Sequence, residues 1–357
     1  MRETYAEIDL QAIRHNASEL AAMIAPAELC AVVKADGYGH GDVPVASAAL
    51  VAGATRLAVA LAEEGIRLRE AGIEAPILIL SEPDLASIDS LGRWDLTPTV
   101  YSDRFVSALD GSGHRLGVHV KLDTGMHRVG VDPARAASLF ESVARARNLT
   151  LEGVFTHFPV ADEDHEYTTA QIDRFREVVD GLDVQYLHMA NSAGAILFPE
   201  SRADFSRVGL SLYGLHPADA TRGMIDLKPA MRVVSRVAYL RPLPSGSRPS
   251  YGRVRSIEPG GPVATIPMGY ADGYARRLTN NGSVLIRGRR HRFAGMVTMD
   301  QMVVAVDDGV ELGDEVVLMG DQGDDSITAD ELAEILGTIT HEIVCSFGPR
   351  VPRRYIG

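Results

Sequence analysis

Between Ala6 and about residue 215, short apolar runs alternate with longer amphipathic ones. The apolar runs cover residues 29–33, 57–61, 77–80, 97–101, 117–122, 151–156, 186–190 and 206–210, and each has the length of a buried strand. Between them, residues 62–71, 133–146 and 168–182 repeat apolar positions at helical spacing. Eight strands with intervening helices predict an α/β fold, a (β/α)8 barrel. A doubly wound open sheet has the same strand count, which alone cannot close a barrel. Near residue 220 the texture changes. Pro229, Pro242, Pro244, Pro249, Pro259, Pro262 and Pro267 punctuate runs rich in Val, Ile and Thr at 233–239, 263–266, 283–286 and 302–306. This pattern predicts a second, mostly β domain. The expected division is a barrel over residues 9–225 and a β-rich C-terminal domain over 226–357 that also takes in residues 1–8. The acidic run from Asp321 to Asp325 reads as a solvated turn, and residues 330–336 as one short helix.

Composition narrows the classes. The chain has 357 residues, 46% of them hydrophobic and 23% charged, as in an ordinary globular protein. A net charge of -13 argues against nucleic acid, which needs a basic stripe, and against an anionic membrane surface. Cys30 and Cys345 both lie in apolar runs and read as small packed hydrophobes, which suits a reducing compartment. The first residues carry no apolar signal core, and no run reaches spanning length, so a cytoplasmic protein is expected.

The most informative stretch is Val33-Lys34-Ala35-Asp36-Gly37-Tyr38-Gly39-His40-Gly41. A lysine ending a hydrophobic strand sits where burial disfavours its ammonium form. As a neutral amine it can hold an aldehyde cofactor as a Schiff base, although most strand-flanking lysines only snorkel to water. Other polar residues fall where barrel strands end and loops begin: Lys121, Asp123 and Arg128 at the fifth strand, His157 after the sixth, Ser192 after the seventh, and Arg207 and Gly209 at the eighth. Each alone could be a satisfied core group or a cap; together they suit an anionic, conjugated cofactor. Ser192 opens a helix, where serine is by default an N-cap and where phosphate also binds, assisted by backbone donors near Gly209.

The nine-residue run resembles the pyridoxal 5′-phosphate attachment segment of alanine racemases at every position. That resemblance extends along the chain from about Ile8 to Arg353. It implies Lys34 as the Schiff-base lysine and one catalytic base, with Tyr38, Ser192, Arg207, Gly209 and Leu210 also binding cofactor. Lys121-Leu122-Asp123-Thr124-Gly125-Met126 is similar to the stretch whose lysine is often carbamylated and orients an arginine, here Arg128, toward substrate. Ser250-Tyr251-Gly252 resembles the segment of the second base, Tyr251, which His157, Arg207 and Asp300 would support. In such enzymes the tyrosine and the residue matching Met299 come from the partner subunit, so a homodimer with shared active sites is implied. Tyr270 and Arg276 would line the access channel. No metal is implied.

The resemblance implies a two-base interconversion of L- and D-alanine that supplies D-alanine for peptidoglycan. Several positions depart from the pattern: His127 where some relatives have glycine, Met296 and Thr298 in the segment before Asp300, and Pro349 where many carry a tyrosine. A wider pocket would turn preference toward serine or a bulkier amino acid. A longer decarboxylase of related fold would carry a glycine-triplet phosphate loop, which is not found here. A non-catalytic cofactor-binding barrel would lack the β domain.

Overall fold

A computed structural model describes residues 3–357. The chain divides into two compact units. One comprises residues 11–37 and 41–228; the other takes the described residues up to Leu10, the short piece 38–40, and residues 229–357. The first strand, β1 (Tyr5–Asp9), belongs to the second of these.

The larger unit is a barrel of eight parallel strands: β2 (Glu28–Val32), β3 (Ala54–Val59), β4 (Ile77–Ile79), β5 (Thr97–Val100), β6 (Leu116–Lys121), β7 (Leu149–Phe155), β8 (Tyr186–His188) and β9 (Phe205–Val208). Their order is β8-β7-β6-β5-β4-β3-β2-β9. The two ends of this sheet meet through backbone bonds, from Asp204 N–H to Leu187 O and from Arg207 N–H to Ala190 O, both 3.0 Å. The expected barrel is therefore the one that forms, and the open-sheet alternative falls. Most strand residues are buried and apolar, as in β2, where Leu29, Cys30, Ala31 and Val32 are all covered. Helices between strands bury one stripe. In Asp103–Gly111 the stripe is Phe105, Val106 and Leu109, and the Ser102 hydroxyl caps the helix by accepting from Phe105 N–H.

The barrel interior is not purely aliphatic. The Arg56 guanidinium lies 4.1 Å from the Tyr186 ring centre and 4.4 Å from that of Phe205, and it is bonded to Glu28 at 2.7 Å. His188 stacks between Phe155 and Phe205 at 4.6 and 4.0 Å.

The β-rich unit holds β10 (Met231–Arg236), β11 (Tyr239–Leu243), β12 (Gly261–Ile266), β13 (Ser283–Ile286), β14 (Arg289–Arg292), β15 (Met302–Ala305), β16 (Glu315–Gln322), β17 (Asp325–Ile327) and β18 (Arg353–Ile356). One sheet runs β14-β13-β16-β10-β1-β18 with β17 beside β16; the other is β11-β12-β15. The single strand expected at 233–239 is split, because neighbouring residues serve different sheets. Val237 N–H donates to Asp314 O, and Ala238 N–H donates to Thr265 O.

Two further expectations are corrected. Cys30 is buried, but Cys345 is exposed, and neither forms a disulfide among the described residues. The acidic run is the tip of the β16–β17 hairpin, and Asp325 there accepts a hydrogen bond from Arg290 Nε at 2.9 Å instead of only facing solvent. Among the described residues, no helix is long and apolar enough to cross a membrane.

Candidate active site

In the barrel unit the candidate residues gather where the strands end. Lys34 is half-buried two residues beyond β2, at the start of a left-handed turn. Ala35, Asp36, Gly37, Tyr38 and Gly39 all have positive φ, at 53°, 53°, 59°, 51° and 78°. Left-handed backbone costs an ordinary L-residue about 1–2 kcal/mol, so such a run persists only where the surroundings over-determine it. Val33 O accepts from Gly37 N–H at 2.9 Å, and Asp36 O accepts from Gly41 N–H at 2.8 Å. Glycine is obligatory at position 39, since a Cβ there would stand 2.5 Å from Val344 O. Tyr38 is buried, which pushes its phenol pKa up, with the neighbouring Cys345 thiol adding to the rise.

Lys121 is the last residue of β6 and is buried. Burial is the largest cause lowering its pKa to about 8; the charges of Arg207, Arg128 and Lys34 push the same way, against Asp123. Arg207, fully inside the barrel wall on β9, is lowered to about 10 by burial and remains a cation at neutral pH. None of its hydrogen-bond acceptors is a carboxylate: it donates to Thr156 O at 2.7 Å, Met189 O at 2.9 Å, His188 Nδ1 at 2.7 Å and His157 Nδ1 at 3.5 Å. His157 and His188 are held well below the ordinary imidazole range by burial first and by Arg207 second, so both are neutral.

Neutral histidines beside a donor-only guanidinium have fixed tautomers. His188 accepts on Nδ1 and so carries its proton on Nε2, which donates to His119 Nδ1 at 2.8 Å. His119 is then protonated on Nε2, which faces Glu152 Oε2 at 3.8 Å. A one-way chain of donors thus runs from Arg207 through the barrel core to a carboxylate. Glycines make room for it: a Cβ on Gly153 would stand 2.4 Å from His119 Nδ1, and one on Gly117 would stand 2.4 Å from Glu152 Oε2. Sequence reasoning missed His119 and Glu152. The available signal was polar His119 two residues before Lys121 on an apolar strand, which puts both on one face.

The helix after β8 runs Ser192–Leu197, but its cap is Asn191, whose side chain accepts from Gly194 N–H at 2.9 Å. Ser192 is the first helical residue instead, and its hydroxyl accepts from Gly209 N–H at 3.1 Å. The Gly209 donor expected to be aimed at a phosphate is thus engaged by Ser192 in this structure. Leu210 is buried beside it, and the buried Ser211 hydroxyl has no hydrogen-bond partner among the described residues.

Arg128 is exposed. His127 before it has φ 53°, the region in which glycine is at ease, and its ring pairs with Asp123 at 3.4 Å. That conformation accounts for glycine at this position in some relatives; what histidine adds here is the contact with Asp123.

The β-rich unit gathers the remaining candidates. Tyr251 is 75% exposed, Met299 52% and Tyr270 43%. Tyr270 N–H donates to Thr298 O and Ala271 N–H to Met299 O, both at 3.0 Å, and a Cβ on Gly269 would stand 2.3 Å from either carbonyl. Arg276 donates to Met296 Sδ at 2.8 Å, while Ser250 donates to Met296 O at 2.8 Å. Arg276 and the residue before Tyr251 thus meet at Met296, whose sulfur takes the arginine, while Tyr270 is tied by backbone bonds to the Thr298–Met299 segment. Asp300 accepts from Arg350 at 2.7 Å, and Arg350 also pairs with buried Asp272 at 3.1 Å. Pro349 is the second residue of a turn closed by Val351 N–H to Gly348 O, a position that suits proline.

Comparison with known proteins agrees with this layout. The family models for the alanine racemase N-terminal and C-terminal domains match residues 8–217 and 230–355. The alanine racemase of Carboxydothermus hydrogenoformans is 43% identical over 369 aligned positions, spanning all of both chains. The crystal structure of alanine racemase from E. faecalis superposes with a TM-score of 0.96 at 38% identity, covering 99% of this chain and 98% of that one. The Bacillus anthracis alanine racemase structure with bound L-Ala-P gives 0.95 at 37% identity, with 100% and 96% covered. Likeness of this extent, carried by a lysine-bearing barrel and a β-rich second domain, shows that the chain belongs to the alanine racemase family of pyridoxal 5′-phosphate enzymes, isomerases that interconvert the enantiomers of alanine.

Proposed function

We propose that racemisation here uses two bases, Lys34 on one face of the substrate and Tyr251 of the partner subunit on the other, within a homodimer. The carrying observation is the exposure of Tyr251 at 75%, in a unit that also presents Met299 and Tyr270 to solvent. Tyrosine and methionine left uncovered together suit an interface in which a second copy completes the site. Within the barrel unit the His157 imidazole, which feels the Lys34 charge, is a poor proton acceptor, because burial and Arg207 hold it low; buried His188 is held low in the same way. A second base from elsewhere fits that electrostatics.

The barrel residues fit the cofactor. Lys34, Lys121, Arg128 and Arg207 lie close enough to depress one another's neighbours, and Arg207 has no carboxylate partner. Such a gathering of cationic side chains suits a ligand bearing a phosphate and a carboxylate. The unpartnered Ser211 hydroxyl beside Ser192 supports a phosphate there, with Tyr38, Gly209 and Leu210 as its other contacts. Pyridoxal 5′-phosphate, when bound through Lys34, supplies the electron sink that makes the α-proton labile. Arg207, a cation that only donates, would serve as the donor to the ring nitrogen of the bound cofactor. His157 and Arg207, with Asp300 fixing Arg350, lower the cost of a tyrosinate at Tyr251. Lys121 as a carbamate holds Arg128 toward the substrate carboxylate, and Tyr270 and Arg276 line the access channel. The barrel is then the cofactor domain and the β-rich unit the donor of the second base. The biological setting is cytoplasmic D-alanine supply for peptidoglycan.

The test is Tyr251→Phe. Turnover of L-alanine, read by chiral chromatography, should fall by on the order of 10²–10⁴ while bound cofactor is retained. Racemisation at the parent rate would refute the two-base assignment.

A further inference from the structure

The left-handed turn behind Lys34 is gripped at both ends by one helix. Ala62–Glu70 follows β3 and places Glu64 and Arg67 three residues apart, on the same face. Glu64 is buried, and its carboxylate bridges two loops. One oxygen accepts from Ala35 N–H at 2.6 Å; the other accepts from Ala60 N–H at 2.8 Å and Leu61 N–H at 3.1 Å. Arg67 donates from Nε to the buried Asp42 carboxylate at 2.6 Å. Asp42 N–H in turn donates to Asp36 Oδ1 at 3.3 Å. The two grips fall on Ala35 and Asp42 and so bracket every left-handed residue between them. A third contact holds the strand side, where buried Tyr213 donates from its hydroxyl to Val32 O at 2.9 Å.

A strained run of this kind relaxes unless something outside it fixes its ends. Helix Ala62–Glu70 does so with charged groups, whose hydrogen bonds are about twice as strong as neutral ones. We infer that Glu64 and Arg67 are positioning residues for Lys34: they brace the turn so that its amine keeps its place toward the cofactor. The inference rests on Lys34 being the cofactor lysine.

That reading is checked separately, by borohydride reduction of the parent holoenzyme and peptide mapping. Label on another lysine would remove the reading itself, whatever the brace does. The brace is tested with Glu64→Asp, which keeps a carboxylate near Ala60 and Leu61 but is one methylene short of Ala35, and with Arg67→Met, which keeps the stem and deletes the ion pair. Two quantities are followed in each holoenzyme: cofactor release, by its visible absorbance, and amide hydrogen exchange across residues 35–41. Each variant should accelerate both on the order of ten- to a hundredfold, and the double variant by less than the product. Cofactor release at the parent rate overturns the inference, whether or not exchange accelerates, because the helix would then be only a structural support. Arg67 is half exposed, so its variant tests the brace even if a Glu64 variant folds poorly.

Discussion

At the scale of the residue, Lys121 illustrates how placement decides chemistry. An ordinary lysine with a pKa of 10.5 is less than about 0.1% neutral at pH 7, whereas one lowered to about 8 is roughly 10% neutral. Only the neutral amine adds carbon dioxide. Raising the pH through about 8 removes the competing proton, so the sign is fixed: carbamate on Lys121 should increase with pH across that range. It should also disappear in bicarbonate-depleted buffer. NMR with isotope-labelled bicarbonate reads both, and a signal independent of pH between 7 and 9 would contradict the assignment. The burial argument that the sequence invites at Lys34 is thus displayed at Lys121, which the strand pattern alone marks only as a polar end residue. Which of several lysines lies deepest depends on barrel closure, and closure joins positions far apart in the chain.

At the scale of the element, the barrel strands were legible because each carries a short, mainly apolar run between polar or glycine-rich ends, even where His119, Glu152 and Arg207 interrupt it. Expected ends overshoot by one or two residues, at Val33, Leu61, Leu80 and Tyr101 for example, because the first loop residues are apolar too. β14 was illegible for the opposite reason. Its four residues, Arg289, Arg290, His291 and Arg292, show no hydrophobic alternation; Arg289 is held by Asp307, and Arg290 by Asp325 and Glu331. The left-handed turn was half legible: Gly37, Gly39 and Gly41 mark it, but Ala35, Asp36 and Tyr38 adopt the same backbone without any signal of composition. The histidine chain was not legible, since His119 and His188 are 69 positions apart. It makes a sharp prediction. Gly153→Ala would drive a methyl into His119, so unfolding free energy measured in urea should drop by about 1–3 kcal/mol, the usual cost of overpacking. An unchanged midpoint and slope would show that the ring has room to move.

At the scale of the whole molecule, the proposed sharing of the exposed Tyr251 and Met299 between subunits would tie activity to concentration. If the partner completes the site, specific activity should fall on dilution below the dimer's dissociation constant while circular dichroism stays constant. Activity strictly proportional to concentration down to a demonstrated monomer would oppose this. The bipartite architecture itself was readable from the shift in texture near residue 220. The pairing of β1 within the β-rich sheet was not legible in the strand pattern, because a five-residue strand carries no mark of its distant partners. Those partners give the fold an order in time. β1 pairs antiparallel with β10 and parallel with β18, which are the start and the end of the β-rich stretch. During synthesis β1 emerges first and then waits while every barrel residue is made. The barrel has all its strands before β10 exists, and the sheet around β1 closes only when the last strand arrives. Long-range pairing of this kind forms slowly, and until then β1 presents two unpaired edges to the crowded surroundings of a growing chain.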